Sequence, residues 1–230
     1  MIVIIGCPAW RTSPTPAPAG RACGIALSAA ARGARVELVG RVGEDPEGES
    51  LLIALVHAGV GHAAVLRDPT RPTLVLEPPP APQAEDDDVS LFDDPSPSVA
   101  SVAAAVAASA GPRLEGADID LALKYLDPAG VLIVTDDVPA DVLAAAVAAS
   151  SYASLRLVVL LASGGLAARS MPAGLPADAT VLAAPDDGAD EGAFESLVGA
   201  YVAALDGGAD PAAAFAAAQG GTGWEPAPSD

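Results

Sequence analysis

Val36-Glu-Leu-Val-Gly-Arg-Val-Gly-Glu-Asp-Pro-Glu-Gly48, running on into Leu51-Leu-Ile-Ala-Leu55 and Ala58-Gly-Val60, is the stretch whose reading decides the fold. Val36–Val39 is a short apolar run of strand type. Gly40 and Gly43 permit a tight turn at its carboxyl end, the side on which open α/β sheets bind ligands. Asp45-Pro46 then offers a capping side chain and a proline at the first helical position. A helix is expected over 47–58, stopped by Gly59.

The same rhythm extends on both sides. Ile2–Ile5 reads as a buried first strand ended by Gly6 and Pro8, and Ser13-Pro-Thr-Pro-Ala-Pro18 as a stiff polar turn. An alanine-rich helix covers 20–32 and stops at Gly33. Short strands are expected near 64–66 and 73–76. Beyond residue 98 come helical stretches at 99–108 and 119–125 and continuous apolar strands at 131–134 and 155–161, with a helix from Pro139 to Ser150 between these strands. A weak strand at 180–183 and helices at 191–205 and 211–218 follow. Apolar strands separated by helices predict one doubly wound α/β domain with a mainly parallel sheet over 1–219. Pro78-Pro-Pro-Ala-Pro82 and Glu85-Asp-Asp-Asp88 mark an exposed acidic excursion at about 77–98. Residues 220–230 read as a flexible tail.

The formal net charge is −19, from 30 acidic and 11 basic residues. Such a surface repels phosphate backbones and holds no basic cluster to neutralise them, which excludes nucleic acid as a partner. The apolar opening at Ile2–Ile5 is too brief for a signal peptide or a membrane span and has no positive region before it, so no membrane partner and a cytoplasmic location are expected. Cys7 and Cys23 lack Cys-x-x-Cys spacing and read as buried free thiols, with no metal assigned.

Three segments resemble the ribokinase-like (PfkB-type) carbohydrate kinases. Ala19-Gly-Arg-Ala-Cys-Gly24 and the helix after it are similar to the family's Gly-Gly-Lys-Gly-x-Asn segment. Residues 36–60 are similar to its strand, glycine turn and helix. Leu132-Ile-Val-Thr-Asp-Asp-Val-Pro139 resembles the strand that ends in an acidic residue, one further residue and proline. The resemblance implies a ribokinase-like sheet flanked by helices. The small lid would be reduced or absent, because only about a dozen residues separate Gly6 from Gly20. It also implies a sugar or nucleoside near Gly20, Arg21, Gly24, Gly40, Gly43 and Asp45. From the residues alone, Asp45 serves equally as a helix cap, and Arg21 and Arg41 as solvent-facing cations.

The family's Gly-Ala-Gly-Asp stretch at a helix start supplies an anion hole and the aspartate that deprotonates the substrate hydroxyl. Matching Val198-Gly-Ala200 to the family's Val-Gly-Ala implies Glu195 at the catalytic aspartate and Gly192 and Ala193 at the anion hole. A second register, anchored on Phe194, places Gly192 at the base position. Glutamate's extra methylene moves the carboxylate by about an ångström, a displacement that can cost on the order of a hundredfold in rate. Asp186, Asp187, Asp190 and Glu191 crowd the same helix start as an acidic cap. The chain has no asparagine for the family's Asn-x-x-Glu motif, and Lys124 is its sole lysine. Ala162-Ser-Gly-Gly165 resembles the nucleotide-side Thr-x-Gly turn, implying Gly164 and Gly165 at the cofactor. ATP and Mg are the implied cofactors if transfer survives. Three functions stay open: a homologue with weak or lost phosphotransfer that keeps small-molecule binding, an active Mg-ATP-dependent sugar or nucleoside kinase using Glu195, and a non-catalytic protein-interaction module.

Overall fold

The structure, a computed structural model, describes residues 1–76, 111–126, 129–161, 174–184 and 191–222. The excursion expected at 77–98, the helix expected at 99–108, Gly164, Gly165, Asp186, Asp187 and Asp190 lie outside the described residues.

At the centre lies β1 (Ile2–Ile5), whose four residues are all buried. It pairs in parallel with β4 (Val36–Gly43) on one side and β7 (Val131–Val134) on the other, Ile2 opposite both Val36 and Val131. With β5 (Val60–Asp68), β8 (Arg156–Leu161) and β9 (Thr180–Ala183) they form a six-stranded parallel sheet in the order β5-β4-β1-β7-β8-β9. Side chains alternate across a strand, so continuous apolar runs fill both faces. Ile2, Ile4, Leu38, Ile133 and Val158 pack under α1 (Arg21–Ala31), α2 (Pro46–His57), α5 (Glu191–Asp206) and α6 (Pro211–Thr222). Val3, Ile5, Val39, Leu132 and Val159 pack under α3 (Gly116–Tyr125) and α4 (Ala140–Ala153). No helix among the described residues is long and apolar enough to cross a membrane.

Three local expectations change. The strand that opens the decisive stretch does not turn at Gly40; β4 runs to Gly43, and the turn falls at Glu44 and Asp45. Gly40 is there for close approach, because a Cβ on it would lie 2.6 Å from Pro8 Cδ and 2.7 Å from the Gly6 carbonyl oxygen. The polar turn read before Pro18 is a hairpin: β2 (Ala9–Arg11) pairs antiparallel with β3 (Ala17–Ala19) and parallel with β6 (Leu74–Leu76), making a separate three-stranded sheet of three-residue strands. Helix α6 also runs on to Thr222, beyond the Gly220 at which the tail was expected to begin.

Helices α1 and α5 lie against one another with small residues between them. A Cβ on Gly199 would sit 2.5 Å from Ser28 Cβ and 3.0 Å from the Ala29 nitrogen. The Ser28 hydroxyl donates to the Ser196 carbonyl at 3.2 Å, and Arg32 reaches the Ser196 hydroxyl at 3.3 Å. Both helices return from the sheet, so their amino ends meet at its carboxyl edge.

Candidate functional site

From β1 the chain crosses to β4 on one side, while β7 lies on the other, so the order reverses between β1 and β7. Ligands of open α/β sheets bind outside the strand ends at such a switch point. Two short loops end there, Gly6-Cys7 after β1 and Thr135-Asp136-Asp137 after β7. Gly6 lets them meet, because a Cβ on it would lie on Thr135 Oγ1 and 2.7 Å from Ala22 Cβ.

The acid pair after β7 divides its work. Asp136 takes an ion pair from Arg21 Nη1. Asp137 lies against the Thr135 hydroxyl and accepts from the Cys7 backbone N–H at 3.3 Å. Burial raises the Asp137 carboxyl above the ordinary carboxylate range; hydrogen bonds from Thr135 and Cys7 work against this, and the Asp136 charge adds to it. The Cys7 thiol is pushed up to about 12 by burial, with the Asp137 charge adding to it. Cys23 is also pushed up to about 12, by burial first, with the charges of Glu195 and Asp137 contributing. Both thiols are free and protonated at neutral pH.

Gly20 precedes α1 with φ of 81°, a conformation that favours glycine, and a Cβ there would approach the Cys7 carbonyl oxygen to 3.1 Å. Arg21 follows. Far from facing solvent, its side chain is 15% exposed, and its guanidinium carbon lies 5.8 Å from the centre of the Phe194 ring. Arg21 therefore bridges α1, the β7 loop and α5. Arg41 is also engaged, gripping Asp118 through Nε and Nη2 at 2.9 and 2.8 Å. Asp118 in turn accepts from the Glu115 N–H at 2.9 Å to cap α3.

The structure brings Gly20, Arg21, Gly24 and Glu195 together. Glu195 lies one turn into α5 with its carboxylate against Gly24 in the first turn of α1. Gly192 and Ala193 belong to the first turn of α5, where backbone N–H groups have no intrahelical acceptor. Outside its own stretch of helix, no described residue lies within 4 Å of where a Gly192 Cβ would point. Gly40 borders the switch point through Pro8 and Gly6.

Gly43 and Asp45 belong to a different network. Asp45 Oδ1 accepts from the Gly48 N–H at 2.8 Å and the Thr73 hydroxyl at 2.6 Å, while Oδ2 accepts from the Thr73 N–H at 2.6 Å. The Gly43 N–H donates to Thr73 Oγ1 at 2.9 Å. Asp45 thus caps α2 and ties β4 to β6. An open cavity of about 740 Å³ beside this turn is lined by Glu44, Asp45, Pro46, Glu49, Ser50 and Arg67 and touches none of the residues at the switch point.

Asp136 and Asp137 were not singled out from the sequence, although the motif containing them was. The available signal was an acidic pair at the carboxyl end of a fully apolar strand. Among the described residues, no group of three or more His, Cys, Asp or Glu side chains is placed to hold a metal ion.

This arrangement is a ribokinase-like fold: a doubly wound, mainly parallel sheet flanked by helices, with the small sheet beside its carboxyl edge. No protein-family model matches the chain, and no curated protein matches it. Solved structures do. The PfkB protein of Polaromonas sp. JS666 superposes with a TM-score of 0.64 at 17% identity, covering 94% of this chain and 92% of its own. The Arabidopsis thaliana ribokinase, solved with ribose and ATP, gives 0.62 at 12% identity over 96% of this chain and 90% of its own. The protein Sa239 gives 0.63 at 11% identity, covering 96% and 92%. At these identities the likeness is one of fold.

Proposed function

We propose that the chain binds a small polyhydroxylated ligand, a sugar or nucleoside, in the cleft outside β1 and β7, with ATP-dependent phosphotransfer weak or lost. The observation that carries this reading is the convergence of Arg21, Asp136, Asp137 and Glu195 at the switch point. Carboxylates in a partly desolvated cleft accept hydrogen bonds from ligand hydroxyls, and the Arg21–Asp136 pair fixes their placement. The Arabidopsis ribokinase of the same fold is described with ribose and ATP. In this reading Glu195 serves as the base, its carboxylate accepting a proton from a ligand hydroxyl.

The described residues do not fit ATP with Mg. Asp136 and Glu195 lie at the switch point with Arg21, and surplus negative charge disfavours a triphosphate there. The first-turn N–H groups of α5, at Gly192 and Ala193, have no intrahelical acceptor and suit a single phosphoryl oxygen. No transfer step is assigned.

Thermal denaturation with pentoses, hexoses and nucleosides, each with and without Mg-ATP, tests this. A ligand at a hundred times its Kd stabilises the native state by about 2.7 kcal/mol, so a bound sugar raises the midpoint visibly. A shift with at least one sugar or nucleoside, without nucleotide, is expected. No shift with any of them defeats the proposal. Steady turnover of Mg-ATP that vanishes in Glu195→Gln would replace it with an active kinase.

A further inference from the structure

We propose that Gly24 is the positioning residue for Glu195: its missing side chain forms the seat in which the glutamate carboxylate rests, and the two residues act as a unit. The inference rests on Glu195 occupying the base position of the proposed cleft. A Cβ built on Gly24 would lie 2.7 Å from Glu195 Oε1 and closer still to Cδ and Oε2. Those are the three nearest heavy atoms outside its own stretch of helix, and all three belong to one carboxylate. Glycine is a poor helix residue, and α1 nevertheless carries it in the first turn, its N–H donating to the Gly20 carbonyl at 3.0 Å. The room it leaves is occupied by chemistry rather than by packing.

The helices cannot simply part to make space. One turn further along, Gly199 lies against Ser28 and the Ala29 nitrogen, and Ser28 holds the Ser196 carbonyl. A methyl group at position 24 therefore displaces the Glu195 side chain rather than the α5 backbone, and the carboxylate must rotate out of its seat. The titratable neighbours it would leave are Arg21 and the neutral Cys23 on α1, with Asp136 and Asp137 from the β7 loop. Cys23 registers the Glu195 charge. A shorter acid at position 195 would restore the missing room and draw the carboxylate back.

The experiment compares wild type, Gly24→Ala, Glu195→Asp and Gly24→Ala/Glu195→Asp by carboxyl-carbon NMR, with Glu195→Gln assigning the resonance. Gly24→Ala is expected to melt at or above the wild-type midpoint, because alanine favours the helix. Its Glu195 carboxyl resonance is expected to shift as the side chain leaves its surroundings. An unmoved resonance overturns the seat. Affinity for whichever sugar or nucleoside stabilises the wild type is expected to fall about tenfold in Gly24→Ala and to recover in part in the double variant. Equal weakening in both overturns the coupling. If Gly24→Ala alone fails to fold, recovery of folded protein in the double variant supports the seat, and no recovery rejects it. A wild type that binds no sugar removes the proposed function, while the NMR comparison still decides Gly24.

Discussion

Tyr201→Ala is expected to lower stability by about 4 kcal/mol and the thermal midpoint by about 10 °C. Tyr201 is 1% exposed and is among the largest fully buried side chains. Its ring meets Phe215 edge-on, 6.0 Å between centres at 80°, and its hydroxyl lies 3.0 Å from Thr180 Oγ1. One side chain therefore joins α5 to α6 and to β9 at the end of the sheet. Truncation removes the aromatic contact, about 1 kcal/mol by itself, and leaves a cavity that α5 cannot close while it is held against α1. Tyr201→Phe keeps the ring and should cost only about 1 kcal/mol. Equilibrium denaturation of both variants separates the two contributions, and a loss below 1 kcal/mol in Tyr201→Ala would show that the α5–α6 contact is not structural.

Asp45→Ala is expected to cost about 2 to 3 kcal/mol at neutral pH. It removes the α2 cap and leaves the Thr73 N–H and hydroxyl without their acceptor, although solvent screening moderates the loss. The effect depends on pH. Burial acts to raise the Asp45 carboxyl, but hydrogen bonds from the Thr73 side chain and backbone and from Gly48 outweigh it and hold the group below its ordinary 3.8. A carboxyl lowered in the folded state contributes stability that is present above its unfolded value and is lost as pH falls through its folded value. The difference between wild type and Asp45→Ala should thus be full at pH 7 and shrink below about pH 4. Asp68 and Asp141 are also held below their ordinary value, but both remain in each protein and cancel in the comparison. A difference independent of pH between 7 and 2.5 would contradict the network.

Residues whose structure depends on near neighbours were readable from the sequence. Val131–Val134 and Thr180–Ala183 are strands over the residues expected, and Asp45-Pro46 caps α2 as its spacing suggests. The hairpin at Ala9–Arg11 and Ala17–Ala19 was not, because Pro18 argues against a strand. β3 is an edge strand, where proline is tolerated. Gly40 was misread for a related reason: glycine signals a turn or a close approach, and only the distant Pro8 decides which. In the cleft, Glu195, Gly20, Arg21 and Gly24 could be nominated from the segments that contain them. The Arg21–Asp136 pair and the Gly24–Glu195 contact could not, since nothing local to either segment fixes its partner.

That separation bears on the order of folding. The Asp45–Thr73 contact spans 28 residues, whereas the Ser28–Ser196 contact beside the cleft spans 168. Closing the longer loop costs about 1.6 kcal/mol more chain entropy. The β4–α2–β5 unit can assemble from its own sequence, while the α1–α5 seam waits for nearly the whole polypeptide. The α1–α5 seam is therefore expected to form late in folding, and a ligand bound beside it would act on the last contacts to form and the first to open.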